Sequence, residues 1–305
     1  MDISIIIPCY NHGAYLLQAL AALAGLHTEF RYEVIVVDDG SSDQETLAIL
    51  ADLATQGKHK IIHQPNQGVG VARNTGIAAS IGQFIIPLDA DNMLVSANWP
   101  ACLAHLLANP RCAVAYGDAQ FFGTQDGIWV NSKLNIVKMV ADNQIDNCTI
   151  IRRAALADVG GYNTNKAFQS HADWLLWLAF LTKGWQFHYQ PGIFFKYRVV
   201  ANSMLRTDGA AMQKVSKIAL YVYPIQRQIL DRAVAGHQLS TKEATQTLGK
   251  IESRLAYYQL LYGRLSFGVS VLFSSFFHAP SMVITNCRIL AFSPLKRLYF
   301  TLVKK

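Results

Sequence analysis

Apolar and polar positions alternate along the first 90 residues in blocks that switch between a strand period and a helix period. Ile3 to Ile7 is a run dominated by isoleucine. Asn11 to Gly25 reads as a helix with Tyr15, Leu16, Leu20 and Leu23 on one side. Glu33 to Val37 is a second strand that ends at Asp38-Asp39-Gly40, and Ser42 or Asp43 can cap the next helix, whose apolar positions include Leu47 and Leu50. Ile61-Ile62 is a short third strand, Gly70 to Ser80 a third helix, and Phe84 to Leu88 a fourth strand. Strands that are apolar throughout and alternate with helices predict an α/β fold with a mostly parallel sheet covered on both faces.

The rhythm continues less regularly. A helix is expected near Trp99 to Leu107, a strand near Ala113 to Tyr116, and a hairpin over Phe121 to Trp129. Arg152 to Val159 reads as a short helix stopped by Gly160-Gly161, and Ala172 to Lys183 as a helix stopped by Gly184. Strands follow at Trp185 to Tyr189 and Ile193 to Tyr197. From about residue 208 the pattern is helical, with breaks near 236–240 and at Ala279-Pro280. This divides the chain into an α/β domain over 1–205, with halves of about 1–92 and 93–205, and a helical extension over 206–305.

Composition and charge sharpen the second part. The chain has 305 residues, 51% hydrophobic and 15% charged, enough to bury a large core. Of its 27 Lys and Arg and 20 Asp and Glu, residues 242–305 hold nine and two, which leaves eighteen of each elsewhere. The whole net charge of +7 therefore sits in the C-terminal fifth. Leu265 to Phe277 and Met282 to Leu295 are too short or too interrupted to span a bilayer. They fit amphipathic helices lying on an anionic membrane surface, with Arg264, Arg288, Lys296 and Arg297 toward headgroups, or helices joining copies of the chain. These basic residues are not interleaved with groove-reading positions, so nucleic acid is not an expected partner. Five cysteines without metal-ligand spacing, and a start without a basic, cleavable leader, fit a cytoplasmic protein, peripheral at the inner face of the membrane.

Four polar clusters fall at strand ends, where open α/β sheets bind ligands. The first is Pro8-Cys9-Tyr10-Asn11, where Pro8 is expected to stop the strand and Tyr10 to offer a ring to a base. The second is Asp38-Asp39-Gly40, where a carboxylate beside Tyr10 can accept the N3–H of uracil or thymine. The third runs from Asn66 to Asn74; its glycines, Gly68 among them, allow close backbone approach, and Arg73 can meet a diphosphate. The fourth is Asp89-Ala90-Asp91, two carboxylates leaving a buried strand together.

Together SIIIPCYNHGAYL, EVIVVDDGSSDQETL, NQGVGVARNTGIAASIGQFIIPLDADN, RRAALADVGGYN and HADWLLWLAF resemble the family 2 glycosyltransferases over residues 2 to 205. The resemblance implies the GT-A (Rossmann-like) fold and inverting, non-processive transfer from a nucleoside-diphosphate sugar. It implies that Asp39 holds the base, Asp89 lies near the ribose, and Asp91 ligates Mg²⁺ or Mn²⁺ at the diphosphate. Gly161, Tyr162, His171 and Trp174 fall on the acceptor side, and Asp173 on the family's catalytic base. Trp174 and Trp177 would desolvate that base and wall the sugar. A glycan or lipid-linked glycan precursor at a bacterial inner membrane is the expected acceptor, as in cell-envelope polysaccharide synthesis. The loops at Tyr116 to Trp129 and Asn143 to Thr149 would choose the sugars.

Two positions depart from the family pattern. Ala172 stands where a Glu often precedes the base, and Val200 where a His often follows Tyr-Arg-x. Metal ligation would then rest on Asp91, the diphosphate and water. The same departures keep a rival open, a non-catalytic nucleotide-sugar or membrane-binding relative. A nucleotidyltransferase is disfavoured, because Pro8 to His12 lacks the Gly-rich basic loop such enzymes carry after the first strand.

Overall fold

A computed structural model of the chain describes residues 1–200, 209–262 and 271. The chain divides into two compact units, Met1–Asn135 with Asn143–Met204, and Ile136–Asp142 with Leu205–Lys305.

The first unit begins as the alternating pattern predicts, with β1 (Ile3–Cys9), α1 (Gly13–Ala24), β2 (Tyr32–Asp38), α2 (Gln44–Gln56), β3 (Lys60–His63), α3 (Val69–Ala78) and β4 (Phe84–Pro87). These strands are all parallel, in the order β3-β2-β1-β4. Alternation within β1 explains the two-sided cover. Ile3, Ile5, Ile7 and Cys9 join Leu16, Leu20 and Leu23 of α1 and Leu50 of α2 in one core. Ile6 faces the other way, and a side chain added at Gly76 of α3 would collide with it and with Val37. Each fully buried isoleucine contributes roughly 1.5–3 kcal/mol. Of the two candidate caps, Asp43 starts α2: its Oδ1 accepts from the Thr46 backbone N–H at 2.8 Å.

After β4 the sheet becomes mixed. The elements are β5 (Met93–Leu94), α4 (Trp99–Ala108), β6 (Cys112–Gly123), β7 (Gly127–Trp129), α5 (Ile136–Ala141), β8 (Ile150–Arg152), α6 (Arg153–Val159), a 3-10 turn (Lys166–His171), α7 (Ala172–Thr182) and β9 (Gln186–Val199). Order continues β4-β8-β6-β9-β5, with β8 antiparallel to both neighbours and β7 folded back on β6 as the expected hairpin. The two strands read at 185–189 and 193–197 are one strand, β9, parallel to β6 with register shifts around Asp118. The Gln190-Pro191-Gly192 stretch looks like a turn in sequence. Here buried Asp118 bridges it, accepting from the Tyr189 hydroxyl at 2.8 Å and the Gly192 N–H at 2.9 Å.

The second unit contains α5, α8 (Gly209–Ala235) and α9 (Thr241–Tyr262). Leu255 and Ala256 of α9 pack with Ala219, Leu220 and Tyr223 of α8. The Tyr223 hydroxyl donates to Glu252 at 2.7 Å, and Gln226 donates to the Val140 carbonyl at 2.7 Å. Ser240 and Glu243 form a reciprocal capping box at the start of α9. Among the described residues no helix is long and apolar enough to cross a membrane. The basic apolar segments expected at 265–277 and 282–295 lie, apart from residue 271, outside the described residues.

Candidate active site

The strand ends gather the four polar clusters at one edge of the sheet. Pro8 does not stop β1; it pairs with Val37, and the strand runs on to Cys9. Ile6 presents its carbonyl to the Leu88 N–H on the β4 side, and two residues later Pro8 faces the same side, where β4 has already ended. Its missing N–H therefore costs no ladder bond. Tyr10 follows, 47% exposed. Asn11 adopts a left-handed φ of 55°. Its Oδ1 accepts from the Ser42 N–H at 2.7 Å and its own N–H donates to Ser41 Oγ, which fastens the end of β1 to the end of β2.

Asp38 and Asp39 have different surroundings. Asp38 accepts from the Ser41 N–H and meets His63 Nδ1 at 3.0 Å. Asp39 accepts from the Gln64 amide at 2.7 Å and from the backbone N–H groups of Gln67 and Gly68 at 2.8 Å. A carboxylate offers about four acceptor positions, so Asp39 keeps roughly one beyond this loop. Gly68 has φ +97°, and a Cβ there would lie 2.7 Å from Gln169 Oε1.

Asp89, Ala90 and Asp91 leave β4 in a tight turn closed by the Asn92 N–H on the Asp89 carbonyl at 3.0 Å, with Ala90 buried beneath. Arg73, 5% exposed on α3, donates to Asp89 Oδ1 at 2.6 Å. Its guanidinium also lies 5.2 Å from the Tyr162 ring centre and 3.2 Å from the Asn147 amide oxygen, oriented so that the Asn147 nitrogen donates to the Tyr162 hydroxyl. Arg73 was expected to reach a diphosphate. Its buried guanidinium meets these partners here and sets a positive charge beside Asp89.

Around this pair stand three more carboxylates. Asp173 opens α7; its Oδ2 accepts from Asn143 Nδ2 at 2.7 Å and its Oδ1 from the Trp174 N–H at 2.8 Å. Burial raises its pKa, opposed by the Trp174 N–H and the Arg73 charge. Asp91 is raised by burial and then by Asp89, opposed in part by His12 and Arg198. Asp146, held by the Cys148 N–H at 2.8 Å, is pushed up to about 8 by burial and by Asp89. Tyr197 feels all four acids, and its hydroxyl is pushed up to about 12, burial leading. Arg198 closes the far side, donating to the Asp91 carbonyl at 2.9 Å while its guanidinium sits between Tyr15, at 4.6 Å, and Phe122, at 4.3 Å.

Of the residues expected on the acceptor side, Gly161 has φ +79° and packs against Asn74. Asn74 brackets Tyr162, taking its N–H and donating to its carbonyl, both at 2.9 Å. His171 meets Ser170 Oγ at 2.9 Å, with its ring 6.1 Å from that of Trp174. Trp174 is buried beside Asp173, but Trp177 is not a sugar-facing wall: it is fully buried and its indole N–H donates to the Ile145 carbonyl at 3.0 Å. The helical period puts Trp177 on the core side of α7.

Sequence reading missed Asp146, Asn147 and Asn143 as individual residues. The polar string Asn143-Gln144-Ile145-Asp146-Asn147 just before the apolar β8 was the available signal, since it places an acid at a strand entrance. Tyr197 was visible only as the neighbour of Arg198.

A divalent cation is compatible with this donor set. Among the described residues no group of three or more His, Cys, Asp and Glu is arranged as a metal cage. Asp91 is nevertheless a half-buried carboxylate in an acidic surround. Such a site suits a hard cation that takes most of its oxygen ligands from phosphate and water.

Comparison with known proteins supplies the remaining context. Residues 4–160 match the model of "Glycosyl transferase family 2". The glycosyltransferase alr2836 of Nostoc sp. is 42% identical over 96 residues, 30% of this chain and 29% of that protein. The glycosyltransferase GlyG of Streptococcus pneumoniae is 29% identical over 126 residues, 41% of each. The matched stretches thus span well under two thirds of these relatives. S. aureus TarS 1-349, solved in complex with UDP-GlcNAc, aligns at a TM-score of 0.59 with 17% identity, covering 90% of this chain and 89% of that one. The mannosyltransferase PcManGT of Pyrobaculum calidifontis, solved with GDP-Man and Mn²⁺, aligns at 0.53 with 16% identity, covering 98% and 83%. At such identities these structures speak for the shared GT-A fold. With just over half its length matched by the family model, and the strand-end clusters in place, the chain belongs to glycosyl transferase family 2.

Proposed function

We propose that the chain is an inverting glycosyltransferase that moves a sugar from a nucleoside-diphosphate sugar to a hydroxyl of a glycan or lipid-linked glycan precursor, with Asp173 as general base. The observation that carries this is the state of Asp173, a half-buried carboxylate oriented by Asn143 and the Trp174 N–H, with its proton affinity raised by burial. A base works best with a pKa drawn toward the working pH. Asp173 takes the proton of the accepting hydroxyl as that oxygen bonds to the sugar C1. The C1–O bond to the diphosphate breaks on the opposite face, and the electron pair leaves with the nucleoside diphosphate.

Tyr10 and the last acceptor position of Asp39 favour a uracil or thymine base, and the UDP-GlcNAc complex of TarS supports a uridine donor by analogy. Asp89, fixed by Arg73, is the ribose or sugar contact. Asp91 is the residue that would hold Mg²⁺ or Mn²⁺, which when bound supplies positive charge to the departing diphosphate; the Mn²⁺ complex of PcManGT supports such an ion. The concentration of positive charge at 242–305 supports docking at an anionic membrane surface.

Asp173→Asn tests the reading. Transfer from UDP-GlcNAc or another UDP- or dTDP-sugar to an envelope-glycan extract, followed as released nucleoside diphosphate, should fall by at least a hundredfold while calorimetric UDP affinity stays within about twofold. A variant as active as the parent would return Asp173 to a helix-start residue. A parent that binds the nucleotide but never turns it over would favour the non-catalytic relative. Tighter binding of GDP than of UDP would sink the role given to Asp39.

A further inference from the structure

The β6–β7 hairpin carries chemistry that neither the donor site nor the base uses. Its register pairs Ala119 with Trp129 and Phe121 with Gly127, and β9 places Phe195 beside Ala119 and Tyr197 beside Phe121. Because side chains alternate along a strand, these positions share one face of the sheet. The three outer rings meet there: Phe121 and Trp129 stack at 6.4 Å, and Tyr197 stands edge-on to both, at 6.0 and 6.3 Å. All three are half-buried, so the core covers only part of them. Gly127, opposite Phe121, adds no side chain, which leaves the platform open at the hairpin tip. Tyr197 also belongs to the acid site, since its hydroxyl interacts electrostatically with Asp89, Asp91, Asp146 and Asp173. One edge of the aromatic face is thus within electrostatic reach of the acids proposed to handle the accepting hydroxyl.

We propose that the Phe121–Trp129–Tyr197 face is the acceptor subsite, on which the ring of an accepting saccharide stacks, with Trp129 its main determinant. The C–H face of a pyranose is apolar and slightly electropositive, and an aromatic face is negative and apolar. The sugar's hydroxyls, which point outward around the ring edge, would meet the carboxylates beside Tyr197. The acceptor class is accordingly a sugar end, whatever anchors it. This rests on the glycosyltransferase reading above.

The test uses the full chain loaded with UDP and the methyl pyranosides of glucose, galactose, mannose, N-acetylglucosamine and N-acetylgalactosamine, observed by saturation-transfer NMR on the sugar ring protons. At least one glycoside should receive saturation on its C–H face. Trp129→Ala should weaken it about three- to ten-fold, the range that aromatic contacts of this kind supply, and Trp129→Phe should restore most of it. UDP affinity, which also reports that the variants are folded, should not move. Equal glycoside binding by a Trp129→Ala protein that still binds UDP overturns the subsite, and so does UDP binding without any glycoside signal in the parent. Loss of UDP binding by the parent, with glycoside binding still dependent on Trp129, would instead refute the donor reading and leave the subsite standing.

Discussion

Replacing Asp146 with Asn should make the first unit more stable at alkaline pH and flatten its pH dependence. The side chain ordinarily titrates near 3.8, and burial, with Asp89 second, raises it to about 8 in the folded protein. The native state therefore binds this proton more tightly than the unfolded state. Stability from this group is full at acid pH and is lost as pH climbs from about 4 to about 8. Between pH 5 and pH 8 the loss integrates to about 3–4 kcal/mol, at 1.36 kcal/mol for each pH unit over which the two states differ by one proton. An amide of the same shape can still accept from the Cys148 N–H, at 2.8 Å in the parent, and never ionises. With the amide standing for the neutral side chain, Asp146→Asn should therefore exceed the parent by about 1–2 kcal/mol at pH 5 and by about 5 kcal/mol at pH 8. A smaller slope of the same sign should survive from Asp91 and Asp173, both raised by burial. Urea unfolding followed by tryptophan fluorescence is the assay, because all five tryptophans, between Trp99 and Trp185, lie in the first unit. Parallel pH profiles for the two proteins, or a parent that gains stability relative to the variant between pH 5 and 8, would refute the reasoning.

Arg73→Met should destabilise the first unit by about 3–5 kcal/mol, since it leaves Asp89 beside three other acids without its buried counter-charge. Arg73→Lys should recover only part of this in the same urea assay, because one ammonium cannot serve Asp89, Asn147 and the Tyr162 ring at once. Gly68→Ala should lower stability by about 1–3 kcal/mol through its positive φ and should weaken UDP binding by calorimetry, as the loop it opens is tied to Asp39. Asp91→Asn should reduce Mn²⁺ binding in the presence of UDP at least tenfold, read from the free-ion EPR signal, while UDP binding without metal stays unchanged; undiminished Mn²⁺ binding would remove Asp91 from the metal role.

Sequence alone determined the parallel half of the sheet and the position of its polar edge. Periodicity is a local property, and runs such as Ile3 to Ile7 and Phe84 to Leu88 have few alternatives to a buried strand. Strand ends follow from residues that cannot continue a strand, so the sequence itself places Tyr10, Asp39 and Asp89 to Asp91 at one edge. The place of Asp173 in the first turn of a helix was legible through the pattern around it.

Only the tertiary structure decided how those groups share charge. It buried Arg73 against Asp89 across sixteen residues of sequence and brought Asp146, from the loop before β8, and Tyr197, from β9, into the same acidic neighbourhood. It also fused two apparent strands into β9 around Asp118, turned Trp177 inward, and laid Phe121, Trp129 and Tyr197 on one face. Pattern along the chain reports which residues must leave water. Which charges then face one another depends on contacts between elements far apart in sequence, and the proton affinities at the site follow from those contacts.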